Sequence, residues 1–141
     1  MHLIRYKMKI LFSLLFLLII TSFAYAGDWE LIGNTRSGDT FYLDKSSVKK
    51  DGNLRTVNEK QVFKFAQISQ NGNFYDQTVL VKIYDCSSMN FTIKEVTGQD
   101  RNGNTIFTDT FEKYYEGNPS KRWLKAGPGS LFRKSLDIVC R

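Results

Sequence analysis

The residues able to do chemistry in this chain are few, and their types narrow the options at once. There are two cysteines, Cys86 and Cys140, and one histidine, His2. A pair of cysteines separated by 54 residues lacks the close C-x-x-C spacing of redox or zinc sites. In an exported protein an even count of two reads as one structural disulfide, Cys86–Cys140. A histidine at position 2 lies in a segment expected to be removed, so the mature chain cannot build Ser-His-Asp or Cys-His machinery. Nor can it assemble histidine-rich zinc sites. The acids Asp76, Asp85, Glu95, Asp109 and Glu112 are scattered, with no spacing that argues for a glycosidase-type carboxylate pair. The expectation is a protein with no catalytic site, no cofactor and no metal.

Basic residues are the second group with chemical potential. Gly27 to Glu112 carries 10 basic and 12 acidic residues, whereas Lys113 to Arg141 carries 7 basic and 2 acidic. Lys121, Arg122 and Lys125 surround Trp123, and Arg133, Lys134 and Arg141 follow in the last segment. Such a patch attracts acidic polysaccharide, anionic lipid or an acidic protein by long-range steering. Lys121, Arg122, Trp123, Lys125, Arg133 and Lys134 are therefore the candidate binding residues, set against the plainer reading of a solvated polar face. Exposed Trp123 and Tyr114-Tyr115 would add recognition surface.

The chain that must position these groups has 141 residues, a net charge of +6 and 42% hydrophobic residues. Residues 1–26 read as a secretory signal. Arg5, Lys7 and Lys9 form a positive start, Ile10–Ile20 is an apolar run broken only by Ser13, and Ala24-Tyr25-Ala26 offers the small residues a peptidase reads. The competing reading is a membrane anchor, but eleven apolar residues span only about 16 Å as a helix, roughly half a bilayer core. Without the three basic residues of that segment, 17 remain against 14 acidic ones, a net +3. This is too weak a balance for a dedicated nucleic-acid binder, so no nucleic-acid partner is expected. Residues 27–141 are expected to form one domain with no transmembrane segment, large enough to bury a core.

Short apolar runs between dense turn signals predict strands. These are Trp29–Ile32, Thr40–Asp44, Leu54–Ser69, Val79–Tyr84, Phe91–Val96 and Thr105–Phe111. Ser46–Asn53 reads as a polar turn, and Asn71-Gly72 and Asn102-Gly103 as tight hairpins. Val79–Tyr84 reads as a central strand, covered on each face over part of its length. After Pro128-Gly129, Ser130 is a helix N-cap, and Phe132, Leu136 and Val139 recur at helical spacing. A helix of about ten residues is marginal in water and must dock on the sheet. The fold class is α+β: about six antiparallel strands in a meander, with a C-terminal helix packed on one face and tied by the disulfide. An open sheet has unpaired edges, and pairing with a second copy to give a homodimer is a further expectation.

Several of these pieces together resemble the surface-adhesin protein E family of bacteria. They are Trp29, Phe41-Tyr42-Leu43-Asp44 with Ser47-Val48 and Asp51-Gly52, Tyr84-Asp85-Cys86, and Trp123 before Pro128-Gly129-Ser130 and Cys140. The resemblance runs from Trp29 to Cys140. It implies a six-stranded antiparallel sheet with a helix tied to it by a disulfide. It also implies an adhesin binding host matrix or serum proteins, while the signal-type start implies export to the periplasm, the outer-membrane surface or the medium. The alternatives in play are a periplasmic structural or stress-related envelope protein, and a carrier of a small apolar ligand between sheet and helix.

Overall fold

The computed structural model describes residues 27–141; the expected signal, residues 1–26, lies outside the described residues. Seven strands form one sheet. They are β1 (Trp29–Asn34), β2 (Thr40–Asp51), β3 (Leu54–Ile68), β4 (Phe74–Asp85), β5 (Asn90–Gln99), β6 (Thr105–Thr110) and the two-residue β7 (Leu124–Lys125). The order is β1-β2-β3-β4-β5-β6, with every neighbouring pair antiparallel. This is the expected meander, curled into a half-barrel. β6 covers the second half of β5, and β7 returns to pair with its start, Asn90 and Phe91. Between them lie a short helix, α1 (Glu112–Gly117), and a 3₁₀ turn at Pro119–Lys121.

Turn chemistry explains the tight hairpins. Gly52, Gly72 and Gly103 all adopt positive φ, the region a side chain disfavours. The Asn71-Gly72 and Asn102-Gly103 turns fall where the sequence puts them. Ser46–Asn53, by contrast, is not a polar turn: β2 continues to Asp51, and only Gly52-Asn53 turns the chain. The physical reason is a bulge. Register shifts between Asp44 and Lys49, and side chains supply the missing hydrogen bonds. The Ser47 hydroxyl accepts the Asn58 N–H at 2.8 Å and donates to the Asp44 carbonyl at 2.7 Å. The Asp44 carboxylate accepts the N–H of Ser46 and of Asp28, both at 3.0 Å. β4 is likewise longer than Val79–Tyr84, because β3 is long enough to pair with it from Leu54↔Asp85 to Ile68↔Phe74.

The core lies on the concave face, where Leu43, Val57, Tyr84 and Phe91 meet α2 (Leu131–Val139) through Leu136 and Val139. Ser130 caps α2 as its sequence predicts: its hydroxyl accepts the Arg133 N–H at 3.1 Å and donates to the Gly127 carbonyl at 2.6 Å. Directly after the helix, Cys140 bonds Cys86, with the Cα atoms 5.7 Å apart. Val79, Val81 and Ile83, on the opposite face of β4, are half-buried. Among the described residues no helix is long and apolar enough to cross a membrane.

Candidate binding surface

The predicted binding residues sit on the stretch that leads from α1 through β7 into α2, and the structure sorts them by what holds them. Arg122 is engaged: its guanidinium makes two hydrogen bonds to the Glu112 carboxylate, at 3.0 and 2.7 Å, and lies 5.2 Å from the centre of the Tyr115 ring. Those bonds hold the Glu112 carboxyl below the usual carboxylate range. Arg133 pairs with Asp137 one helical turn on, at 3.2 Å. Lys134 donates to the Ile32 carbonyl at 3.0 Å, so the helix takes up one acceptor of the edge strand β1. Lys121 and Lys125 are exposed and make no ion pair among the described residues.

Aromatic and aliphatic groups run alongside these two lysines. Trp123 is 39% exposed, and Tyr114, Leu124 and Phe132 are exposed as well. Three of them are tied to the fold by contact or pairing. Tyr114 packs against Tyr115, with ring centres 5.7 Å apart. Leu124 pairs with Phe91 across the β5–β7 ladder, and Phe91 stacks on Phe132 at 4.6 Å. Tyr115 is buried and anchored, its hydroxyl donating to the Ile93 carbonyl at 2.9 Å. The result is a mixed aromatic and cationic strip on a rigid base. It can offer two free ammonium groups and several apolar contacts to a partner. Exposed aromatics with a cationic neighbour are common anchors of recognition surfaces.

Below this strip is a polar cluster that the sequence did not reveal. Lys82 and Tyr84 of β4 are both 0% exposed, and Glu59 of β3 is buried beside them. The Glu59 carboxylate accepts from the Lys82 ammonium through Oε2 and from the Tyr84 hydroxyl through Oε1, each at 2.5 Å. The ammonium lies 4.6 Å from the Phe132 ring centre and 5.6 Å from that of Phe91. Burial, then the neighbouring carboxylate, push the Tyr84 phenol far above its ordinary range. One signal in the sequence pointed here: a lysine inside an otherwise apolar strand needs a buried anion, and such an anion must come from a neighbouring strand. The cluster sits under α2, and the space between sheet and helix, where an apolar cargo would have to sit, is filled by Leu43, Val57, Tyr84, Phe91, Leu136 and Val139. No group of three or more His, Cys, Asp or Glu suited to a metal occurs among the described residues.

The family model for surface-adhesin protein E matches residues 29–141. The chain belongs to the surface-adhesin protein E family. Among solved structures it is similar to Haemophilus influenzae protein E, at 14% identity over 83% of this chain and 86% of that one, with a TM-score of 0.55. The selenomethionine form of the same Haemophilus influenzae protein is 14% identical over 83% of this chain and 88% of that one, with a TM-score of 0.56. At such identity the likeness concerns the fold. No curated protein matches. Several of the family-like residues have structural tasks here. Asp44 and Ser47 build the β2 bulge. Asp85 accepts the Ser87 N–H at 2.9 Å and hydroxyl at 2.7 Å in the β4–β5 turn, which hold its carboxyl below the usual range. Trp29 and Tyr42 pack against the Lys60 ammonium at 4.4 and 5.3 Å.

Proposed function

We propose that this chain is a non-catalytic binding module displayed at the bacterial surface, and that it engages acidic matrix or serum glycoproteins through the strip around Trp123. The observation that carries the reading is the pair of exposed lysines without ion-pair partners, Lys121 and Lys125, flanking an exposed tryptophan on a rigid edge, in a chain of an adhesin family. Neither ammonium has to break an internal salt bridge before meeting a partner, so the full electrostatic attraction is available to the encounter. Arg122 is instead committed to Glu112, and Arg133 to Asp137 within α2.

The test uses immobilised heparin as a polyanion and a matrix glycoprotein as a protein partner. Lys121→Glu/Lys125→Glu is expected to weaken both interactions at least about tenfold and to flatten their salt dependence. Arg122→Gln is expected to act less strongly on binding. Binding that ignores the double charge reversal overturns this reading. Protease treatment of intact cells separates surface display from the periplasmic alternative: a displayed module is shaved off, and a periplasmic one is protected.

A further inference from the structure

The longest stretch without a charged residue in Gly27–Arg141 is Phe65 to Tyr75, eleven residues between Lys64 and Asp76. It coincides with the end of the β3–β4 hairpin. β2 pairs with β3 only as far as Thr40↔Val62, and β5 pairs with β4 only as far as Gln99↔Gln77. Beyond those points the hairpin projects as a two-stranded arm, closed by Gln67↔Tyr75 and Ile68↔Phe74. Its tip exposes three large apolar side chains: Phe65 at 70%, Ile68 at 63% and Phe74 at 63%. Apolar groups of this size are normally scattered singly on a soluble surface, and their concentration on one projection calls for a partner.

We propose that this arm is an interfacial anchor that inserts its tip into the headgroup layer of a phospholipid bilayer. The small apolar area of the tip and its partly closed turn favour a lipid surface over a protein. Ile68 and Phe74, as a cross-strand pair, occupy one face of the arm, while Tyr75, opposite Gln67, lies on the other. Tyr75 is covered by Phe63 and Phe107, so the apolar groups free to meet a partner are Phe65, Ile68 and Phe74. The three exposed side chains offer roughly 400 Å², taking about 200 Å² for each when fully exposed, whereas a stable protein interface needs about 800 Å² on each partner. The turn is closed by three internal hydrogen bonds. Ser69 N–H donates to the Asn73 carbonyl at 2.8 Å, Gly72 N–H to the Ser69 carbonyl at 2.9 Å, and Asn73 N–H to the Ser69 hydroxyl at 3.1 Å. These three amides need no water, while those of Gln70 and Asn71 stay free to meet headgroup water. The outer edges of the two strands remain open, so the depth is that of the interface and not of the hydrocarbon core. Lys64, with its ammonium 5.3 Å from the Phe65 ring centre, stands at the base where lipid phosphates would lie.

The test is sedimentation of the chain from Gly27 onward with phosphatidylcholine vesicles, with and without one fifth phosphatidylglycerol. Co-sedimentation is expected on both, and on phosphatidylcholine it is expected to survive 0.5 M salt. Phe65→Ser/Phe74→Ser is expected to lower vesicle partitioning at least about tenfold with the melting temperature unchanged. Lys121→Glu/Lys125→Glu is expected to leave partitioning to phosphatidylcholine intact, so failure here and failure of the binding strip are separate results. Phe74→Trp gives an independent reading: its added emission is expected to shift to the blue on vesicle addition. Absence of that shift, or equal sedimentation of wild type and the serine variant, overturns the proposal. A dimer in free solution that the serine variant disrupts also overturns it and assigns the arm to a second copy.

Discussion

One concave sheet carries two halves built on different principles. The half under α2 is closed by a helix, a disulfide and a buried charged cluster, and its aromatic ring, Phe91, stacks on Phe132 from the helix. The half toward the β3–β4 arm has no helix over it. There Phe63, Tyr75 and Phe107 pack edge-to-face on one another, at 5.7 and 5.0 Å, and Phe107 lies across Gly98. A notch of about 290 Å³ opens beside them, lined by Ile68, Tyr75, Phe107 and Asp109 among others. The difference teaches where each kind of stability comes from. The first half is fixed by satisfying charges in a place water cannot reach, the second by ring-on-ring packing that water still touches. The first can tolerate no broken partnership, while the second has freedom to present a surface.

The sharpest way to break the first half is Glu59→Ala. It strands the Lys82 ammonium and the Tyr84 hydroxyl without an acceptor, and a buried ion pair broken from one side costs about 3–5 kcal/mol. Urea unfolding with the disulfide intact is expected to show that loss. Glu59→Leu combined with Lys82→Met is expected to recover most of it, because no charge then remains buried. A double variant as unstable as the single one would mean that the cluster matters for its shape and not for its charge.

The second half is probed by Gly98→Ala. A Cβ at this position would come within 2.1 Å of the Phe107 ring, so the ring must leave its place over β5 and its contact with Tyr75. Overpacking of this kind costs about 1–3 kcal/mol. The smaller expected loss is itself the comparison, because a ring beside an open notch has somewhere to go. A loss as large as that of Glu59→Ala would show the two halves to be equally rigid.

How much of this was legible in the sequence depends on how local each cause is. The Asn-Gly hairpins, the Ser130 cap and the apolar spacing of α2 are set by residues within a few positions of one another, and each sits where expected. The disulfide followed from there being only two cysteines to pair. What escaped depends on register. Glu59 meets Lys82 and Tyr84 only because β3 and β4 align Glu59 with Leu80 and Val57 with Lys82. A shift of one residue would turn the carboxylate to the other face. The turn read into Ser46–Asn53 failed for a related reason: Asp44 and Ser47 repair the ladder through side chains, which a polar composition alone does not signal. α1 escaped because its start, at Phe111, has no side-chain cap to announce it. The basic strip was legible as a cluster but not as a set of roles. Glu112, which takes up Arg122, lies ten residues back across α1.

The smallest effect probes the closed half by pH. Tyr84→Phe removes one donor from the Glu59 carboxylate and is expected to cost about 1 kcal/mol at neutral pH. In the folded chain the Tyr84 phenol is held protonated far above its ordinary value of 10.0, chiefly by burial and then by the Glu59 charge. Its folded pKa is raised, so the stability it contributes is complete below pH 10 and is lost as pH rises further and the unfolded chain sheds the proton. That loss is about 1.4 kcal/mol per pH unit. Urea midpoints of wild type and Tyr84→Phe are therefore expected to stay apart from pH 7 to 9 and to converge near pH 11. Parallel curves for wild type and Tyr84→Phe would mean that the phenol ionises in the folded state, and that the cluster under α2 is open to hydroxide after all.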